Sequence, residues 1–579
     1  MRPLRIANCS GFYGDRFSAA REMVDGGPID VLTGDYLAEL TLAILAKRRM
    51  ADPTAGYVPT FLAQLEDVLS TCRQRGIRIV ANAGGLAPAA LATAVVDLAA
   101  RLGVAATVAT VTGDDVLAAA GELRHAVTGV TMADRGLVPL VANAYLGGWG
   151  IAEAFRLGAD VVVTGRVADA SLAVGPAAWW HEWERSDWDS LAGAVVAGHV
   201  IECGTQATGG NYSFFAEIPD LADPGFPIAE IASDGSSVIT KHPGTGGAVT
   251  VGTVTAQLVY EVGGPRYLNP DVVARLDTVR LTDAGPDRVG IEGVCGEPPP
   301  LTTKVAAVGL AGYRNSVTFV IPGVDVEAKA ALAEEGLLRR IGSGQRPATI
   351  DVQLLRTEHE DPESCEASFA HLKVTVTDQD PARVGRRFSN AAVELALASY
   401  PGFSLTAPPG GESPLVVYFP ATVLQQVSYV GVGDDTLVVP PTPGDETATP
   451  GSRAETGVAA GRGDWDGPTV RIPLGRIAGA RSGDKGGDAN IGVWARDDDG
   501  FAWLCEVLTH ERLRVLVPEA HALHIERHAF PRIRALNFVL HGYLGEGAAS
   551  SPAVDPQAKT LAEYLRARLV DVPERLVAS

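Results

Sequence analysis

Two acids, a histidine and a cysteine occupy positions from which they can perform acid–base or nucleophilic chemistry. Glu202 and Cys203 are adjacent, and His199 lies three residues before Glu202. A glutamate in a closed cleft can act as a general acid or base, and a histidine can activate a cysteine as a nucleophile. A buried, unreactive cysteine is the alternative, because that is the commoner fate of the residue. The candidate catalytic residues are Glu202, Cys203, His199 and Asp35, which follows a predicted strand.

A second polar group lies between residues 481 and 492, where two cations, two acids, one amide and four glycines occupy twelve positions. Glycine-flanked N–H groups can form an anion-binding nest, so this segment is predicted to bind a phosphate or to close over a substrate. It lacks the GxxxxGK[ST] spacing of a P-loop. A salt-bridged, solvent-exposed loop is the alternative. The substrate-binding candidates in this segment are Arg481, Asp484, Lys485, Asp488 and Asn490.

These side chains need elements to position them, and the first 175 residues alternate short apolar runs with longer helical patterns. This alternation is typical of βα units and a largely parallel sheet. The predicted strands cover residues 5–8, 29–32, 77–81, 105–111, 138–142 and 160–164. The predicted helices cover residues 37–49, 59–75, 88–102 and 149–157. The predicted fold class is α/β, and an open, doubly wound parallel sheet is favoured over a barrel.

A small cluster of Gly, Asn, Asp or Thr follows each predicted strand. Ligands of parallel sheets bind beyond the carboxyl ends of the strands, so these clusters are predicted to converge on one cleft. Turns and helix caps favour the same residue types, which is the alternative interpretation. In the cleft, Arg166 is expected to hold a carboxylate, and Asn82 with neighbouring glycine amides to receive developing negative charge. The substrate-binding candidates at this edge are Asn82, Gly84, Gly85, Arg166 and Asp169.

Further along, the chain changes composition three times. The glycine-rich segment 195–260 contributes Asn211 and Lys241 as substrate-binding candidates, and strands are predicted over residues 248–262. An α+β layer is predicted over residues 315–405, with its elements at 315–321, 326–341, 349–355, 371–377 and 388–398. Residues 440–468 are rich in Pro, Gly, Thr and acid, which predicts a flexible linker. The predicted domains are therefore 1–439 and 469–579, the second ending in a helix over residues 558–568.

Composition excludes several classes of protein. The 579 residues carry 48 basic and 69 acidic side chains, a net charge of -21 that disfavours nucleic acid and anionic membranes as partners. The six cysteines form no CxxC pair, so a reducing cytoplasm is expected. Neither a signal peptide nor a membrane-spanning apolar run is recognised. GxGxxG and GxSxG are absent, which argues against a dinucleotide-binding fingerprint and an α/β-hydrolase.

Metal binding has two sets of candidate ligands, and neither is assigned. Three histidines spaced by three and four, His521, His524 and His528, would share one face of a helix over residues 519–527 and suit zinc. A solvated helix surface is the alternative. For Mg²⁺ or Mn²⁺ the strand-end acids are better ligands. These acids are Asp35, Asp114 and Asp169.

Four segments resemble the acyclic terpene utilisation (AtuA) family. They are residues 33–39, 82–86, 165–171 and 198–206 followed by 208–210. Residues 482–492 are similar to the signature of the small ferredoxin-like domain that accompanies this family, fused to it or as a separate chain. The resemblance covers nearly all of the chain except the predicted linker. It implies a C-terminal ferredoxin-like α+β domain.

The resemblance also implies a setting for the chemistry, because members of this family occur with enzymes of branched-chain and terpenoid acid catabolism. We therefore expect a cytoplasmic, homo-oligomeric enzyme that performs lyase or hydratase chemistry on an acyl-CoA thioester or a small carboxylate. No cofactor is assigned, and CoA is expected only as part of the substrate. A non-catalytic partner subunit of an acyl-CoA carboxylase complex is the alternative function, and a ligand-binding protein without turnover also stays open.

Overall fold

The computed structural model describes residues 1–52, 54–446, 465 and 467–577. The first twenty strands are β1 (Leu4–Asn8), β2 (Val31–Gly34), β3 (Arg78–Ala81), β4 (Val108–Thr112), β5 (Val138–Ala144), β6 (Val161–Thr164), β7 (Pro227–Ile231), β8 (Ser237–Lys241), β9 (Arg266–Leu268), β10 (Val273–Arg275), β11 (Arg280–Asp283), β12 (Arg288–Glu292), β13 (Cys295–Glu297), β14 (Thr302–Pro322), β15 (Thr349–Leu355), β16 (Phe369–Asp378), β17 (Ser404–Leu405), β18 (Ser413–Leu424), β19 (Ser428–Val432) and β20 (Asp435–Val439). The later strands are β21 (Thr469–Pro473), β22 (Ala478–Lys485), β23 (Asp488–Ala495), β24 (Ile525–Phe530), β25 (Ala535–Leu540) and β26 (Leu569–Pro573). The helices are α1 (Ala19–Asp25), α2 (Glu39–Ala51), α3 (Pro59–Arg75), α4 (Pro88–Arg101), α5 (Trp149–Arg156), α6 (Ser171–His181), α7 (Trp188–Ile201), α8 (Val251–Leu258), α9 (Val326–Ile341), α10 (Pro381–Val384), α11 (Arg386–Val393), α12 (Asp498–Val507), α13 (His510–Leu516) and α14 (Leu561–Ala567).

Five parallel strands form the centre of the largest sheet, in the order β1-β2-β3-β6-β4. Antiparallel strands extend this centre on both sides to eleven strands, and the two outermost strands do not meet. The parallel strands are buried because helices cover both faces of the sheet, as parallel sheets require. The predicted α/β class and the open sheet are therefore confirmed.

The alternation of side chains along each strand divides the core between the two faces. Ile6 and Val162 point into a cluster built with helices α5 to α8, whereas Ala7 and Val163 point into a cluster built with α1, α3 and α4. Successive side chains of a strand face opposite sides of the sheet, so one short apolar run supplies both cores. This is the doubly wound arrangement that the sequence predicts.

The second sheet is organised by β14, whose 21 residues pair with four other strands. Its first part pairs with β5 and β18, and its second part pairs with β16 and β17. The two parts join at a bulge where Gly312 has a φ of 123° and a Cβ would lie 2.6 Å from the carbonyl oxygen of Asp378. Helices α9 and α11 pack on the second part, which is the α+β layer predicted over residues 315–405.

Two predicted elements differ from the structure. The run 138–142 forms strand β5, but it pairs antiparallel with β14 in the second sheet and lies outside the parallel sheet. The strands predicted over residues 248–262 are wrong, because this segment contains helix α8. Thr250 and Thr253 form a capping box that begins the helix, and its apolar side chains are buried against α7. A short β-branched apolar run cannot be distinguished by periodicity from a buried helix.

The predicted linker lies partly outside the described residues, since 447–464 and 466 belong to it, and the domain boundaries at 439 and 469 stay predictions. Within the part of the chain that the structure describes, no helix is both long enough and apolar enough to cross a membrane.

After residue 467, a four-stranded antiparallel sheet, β22-β23-β25-β24, is buried on both faces. Val493 and Phe538 face helices α12, α13 and α14, whereas Trp494 faces the first domain and stacks on Tyr212 with 6.0 Å between ring centroids. The C-terminal sheet is therefore docked on the first domain through an apolar face.

Asn490 fixes this docking with side-chain hydrogen bonds to the backbone of the first domain. Its Nδ2 donates to the carbonyl oxygen of Val259 at 2.8 Å, and its Oδ1 accepts from the backbone N–H of Glu261 at 2.8 Å. Gly492 lies in the same contact, where a Cβ would meet Val259 Cγ2 at 2.2 Å. The docking surface thus has no space for an extra methyl group.

We predict that Gly492→Ala destabilises the chain by about 1–3 kcal/mol, the usual cost of inserting a methyl group into a packed interface. The matched control is Gly121→Ala, because a Cβ at Gly121 meets nothing within 4 Å. Chemical denaturation of both variants and the wild type measures the difference. Equal stability of the two variants would contradict the docked arrangement.

Candidate active site

A cleft of about 2570 Å³ lies between the carboxyl ends of the parallel strands and the C-terminal domain. Ten of the residues predicted from the sequence line it. They are Asp35, Arg166, Asp169, His199, Glu202, Cys203, Asn211, Asp484, Lys485 and Asp488. Residues at the strand ends, residues around the end of α7 and the segment 484–488 therefore line the same cleft.

Asn82, Gly84 and Gly85 do not line the cleft. Asn82 is fully buried and orients Asp35, since its Nδ2 donates to Asp35 Oδ1 at 2.6 Å. Gly84 allows close packing, because a Cβ would lie 2.4 Å from the carbonyl oxygen of Thr164. The backbone N–H of Gly85 donates to the carbonyl oxygen of Asn82. These groups build the wall behind Asp35, and the two glycine amides do not face a substrate.

Three other predicted binding residues also lie outside the cleft lining. Lys241 is buried and pairs with Asp287 at 3.2 Å, away from the cleft. Arg481 donates to the carbonyl oxygen of Asn211 at 2.8 Å and lies over the ring of Tyr260. Asn490 makes the docking hydrogen bonds already described. Arg481 and Asn490 thus hold the two domains together.

Arg166 is the central cation of the site. Its guanidinium stacks on the ring of Tyr145 at 4.0 Å, donates to the carbonyl oxygen of Leu37 at 3.0 Å and forms an ion pair with Asp169 at 2.9 Å. Its Nε is buried and has no hydrogen-bond partner among the described residues. Below it, Asp114 accepts from the backbone N–H of Arg166 at 2.7 Å and does not line the cleft.

Two carboxyl groups close to Arg166 have raised pKa values. Burial and the negative charge of Asp169 raise the pKa of Asp35 well above its usual range, against the attraction of Arg166. Burial and the charges of Asp169 and Glu261 also raise the pKa of Glu202 well above its usual range. Several acids thus surround one guanidinium, and groups of this kind are suited to proton transfer near neutral pH.

His199 contacts Glu202, and no hydrogen bond joins it to Cys203 in the described structure. Its Nδ1 lies 3.1 Å from Glu202 Oε1, while Glu202 Oε2 is buried without a hydrogen-bond partner among the described residues. Burial lowers the pKa of His199 to about 4, so the imidazole is neutral. Burial and the charge of Glu202 raise the pKa of the Cys203 thiol well above its usual range, which disfavours the nucleophilic thiolate.

The segment 481–492 is a β-hairpin, and its predicted anion binding stays a prediction. Strands β22 and β23 pair up to Lys485 and Asp488, with Gly486 and Gly487 as the two-residue turn. Gly486 has a φ of 66°, a conformation that two-residue hairpin turns require and glycine adopts without strain. The hairpin tip lines the cleft, so the segment closes it from the C-terminal side.

Lysines from both sides of the cleft lie close to the tip. Lys559 forms ion pairs with Asp484 at 3.1 Å and with Glu261 at 2.9 Å. Burial in the cleft and the charge of Lys304 lower the pKa of Lys485 to about 8. Lys485 Nζ donates to the carbonyl oxygen of Glu261 at 3.2 Å, and Lys304 forms an ion pair with Glu39 at 3.3 Å.

Several residues of the cleft wall are not among those predicted from the sequence. Tyr145, Glu261, Lys304 and Lys559 come from a strand end, a helix–strand connection, a long antiparallel strand and a C-terminal loop. Tyr145 belongs to the polar cluster 143–145 that follows a predicted strand. The other three belong to no short motif, because they meet only when the second sheet and the C-terminal domain are docked. Glu261 follows helix α8, in a segment where the sequence predicts strands.

The three histidines considered for zinc do not share a helix face. Residues 518–520 form a single 3-10 turn, and strand β24 begins at Ile525. His524 and His528 line the cleft, whereas His521 does not. The strand-end acids Asp35 and Asp169 line the cleft and have Arg166 beside them, so a cation is already present at that end.

Two family profiles match most of the chain. A family profile described as "Acyclic terpene utilisation family protein AtuA" matches residues 4–430, and one described as "AtuA ferredoxin-like domain" matches residues 472–571. The resemblance inferred from the motifs is thereby confirmed, and the C-terminal α+β domain is ferredoxin-like. A comparison with curated proteins gives no match.

We predict that Glu202→Gln stabilises the chain more at about pH 8 than at about pH 4. The native state retains a proton on Glu202 that the unfolded chain releases above a pKa of about 4.3. Native stability therefore falls as pH rises from that value towards the higher folded pKa, and the amide removes this loss. Thermal denaturation of variant and wild type at both pH values measures the effect.

The control for this prediction is Glu122→Gln, an exposed acid outside the cleft. It should leave the pH dependence of stability unchanged. A Glu202→Gln variant whose stability tracks the wild type at both pH values would show that Glu202 is ionised in the native state.

Proposed function

Because the chain belongs to the acyclic terpene utilisation family AtuA, we propose that it is an enzyme of branched-chain or acyclic terpenoid acid catabolism. Its substrate is an acyl-CoA thioester or a small carboxylate, and its chemistry is that of a lyase or a hydratase. Glu202 and Asp35 transfer protons, and Arg166 stabilises negative charge.

The observation that carries this proposal is a set of buried polar atoms in the cleft lining without hydrogen-bond partners, which includes Asp169 Oδ1 and His199 Nε2 and in which two atoms matter most. Glu202 Oε2 and Arg166 Nε are both buried without a hydrogen-bond partner among the described residues. A buried polar group without a partner costs free energy, so such groups need an explanation such as an absent ligand. Glu202 Oε2 belongs to a carboxyl group with a raised pKa, which suits a substrate that exchanges a proton. Arg166 Nε belongs to a cation, which suits a substrate that develops negative charge.

The proposed chemistry follows from this pair. A base that removes a hydroxyl proton starts C–C cleavage of a β-hydroxy acyl compound, and a base that activates water starts hydration of an enoyl compound. Both reactions pass through an enolate next to the acyl group, which the Arg166 guanidinium is suited to stabilise. A carboxyl group with a raised pKa can then return the proton.

The size of the cleft supports a CoA thioester. Sites for single small molecules occupy about 300–1,000 Å³, and this cleft is larger. Acids outnumber bases in the cleft lining, and Lys304 pairs with Glu39 at 3.3 Å, so we assign Lys485 as the cation that contacts the phosphates or the carboxylate of such a ligand. The six cysteines are all free, which fits the expected cytoplasmic location.

The alternative function is a non-catalytic subunit of an acyl-CoA carboxylase complex. That role requires no buried acid–base pair, and it predicts stoichiometric recovery with a carboxylase from native extract. Homo-oligomerisation is part of the proposal and is measured by light scattering of the purified chain.

We predict that Glu202→Gln and Asp35→Asn each lower kcat by about 100-fold or more, the usual contribution of a positioned general acid or base. The substrate for this assay comes from a thermal-shift screen of acyl-CoA thioesters, followed by mass spectrometry of incubated hits. The control is Asp115→Asn, an acid outside the cleft lining. Full turnover in both active-site variants would remove the assignment.

We predict that Lys485→Gln raises KM about tenfold with little change in kcat, because it removes one charged contact to an anionic substrate. The wild-type KM should also rise above about pH 8, where Lys485 loses its charge, while the KM of the variant stays flat. The control is Lys47→Gln on the exposed side of α2. Equal KM profiles for variant and wild type would exclude Lys485 from binding.

A further inference from the structure

Three side chains that the proposed function does not use lie together on the C-terminal wall of the cleft. They are His524, Glu526 and His541, and one potential ligand atom of each lies within 4.8 Å of the others. His541 Nε2 is 3.1 Å from Glu526 Oε1, and the rings of His524 and His541 stack with 5.2 Å between centroids. They are the one group of this kind among the described residues.

The strand register holds these residues together. Strand β24 pairs antiparallel with β25 so that Ile525 lies opposite Leu540, and the backbone N–H of His541 donates to the carbonyl oxygen of His524 at 3.0 Å. His524 and His541 therefore extend the last pair of a regular ladder. Glu526 is the second residue of β24, so its position follows from the same ladder.

Two further side chains orient the potential ligands. Asp488 Oδ2 lies 2.9 Å from His541 Nδ1, and Asp488 Oδ1 accepts from the backbone N–H of Gly542 at 2.8 Å. An Nδ1–H that donates to Asp488 leaves the lone pair of His541 Nε2 free on the side of Glu526. His528 Nε2 lies 3.1 Å from Glu526 Oε2, the oxygen opposite the one that faces His541. Carboxylate–histidine partners of this kind orient the ligands of metal sites.

We propose that His524, Glu526 and His541 bind a divalent transition metal ion of the zinc class, with an open coordination position towards the cleft. In a tetrahedral site with bonds of about 2.0–2.1 Å, neighbouring donor atoms lie about 3.3 Å apart, close to the separation of His541 Nε2 and Glu526 Oε1. Two imidazoles and a carboxylate are ligands that such ions prefer. The ion also offsets the negative charges of the Glu526 and Asp488 carboxylates.

The test uses the untagged full-length chain after treatment with a chelator. Isothermal titration with Zn²⁺ is expected to show one ion bound per chain, and Co²⁺ is expected to give the visible absorption of a four- or five-coordinate site. Glu526→Gln and His541→Ala are expected to weaken Zn²⁺ binding at least 100-fold. Asp488→Asn, which removes only the orienting carboxylate, is expected to weaken it about 10- to 100-fold.

The matched control is His521→Ala, which removes a histidine of the same segment that does not line the cleft. It should bind Zn²⁺ like the wild type. Circular dichroism of the metal-free variants shows whether each one folds, and Glu526→Gln preserves side-chain shape if His541→Ala does not fold. A wild type that binds no ion, or folded Glu526→Gln and His541→Ala variants that bind one with unchanged affinity, would overturn the proposal. Neither result depends on turnover, so the proposed function is tested separately.

Discussion

The cleft depends on the balance between one guanidinium and the acids that surround it. Arg166 is held by Tyr145, the carbonyl oxygen of Leu37 and Asp169, so it cannot move to satisfy every neighbour. Asp35 and Glu202 lie in the same low-dielectric space, and burial favours their neutral forms. The fold tolerates this arrangement because Asn82 and His199 supply neutral hydrogen-bond partners to the two acids. Burial of these groups still lowers the stability of the folded chain.

The C-terminal domain lines the other side of the cleft from these acids. The segment 481–492, which is rich in charged residues and glycines, contributes both to the docking contact and to the cleft lining. Asn490 and Gly492 bind the first domain closely, and the hairpin tip, with Asp484 and Lys485, lines the cleft. A motif whose glycines suggest an anion-binding nest is thus explained mostly by interdomain packing. Its charged tip is the part that can contact a ligand.

Sequence patterns predicted local elements well and long-range positions less well. Helices α3 and α9 and strand β15 have the predicted limits, because caps, prolines and periodicity act within a few residues. Asp35 and Arg166 could be predicted because parallel strands bring their carboxyl ends to one edge. Glu202 lies at the end of helix α7 and was predicted from its residue chemistry beside His199 and Cys203. Gly84, Gly85 and Lys241 share the composition of ligand-binding loops, yet packing and a half-buried ion pair account for them. Lys304, Glu261 and Lys559 could not be predicted, because they meet across sheets and domains.

The group formed by His524, Glu526 and His541 could not be predicted from sequence spacing either. Spacing by three and four suggested a helix face, whereas the chain forms a ladder in which His541, thirteen residues beyond His528, becomes the neighbour of His524. The cleft therefore has two chemically different walls. One wall carries acids around a guanidinium, and the other carries imidazoles and carboxylates that a dication suits. Both walls belong to one cleft, so a ligand bound there can contact the two kinds of chemistry together.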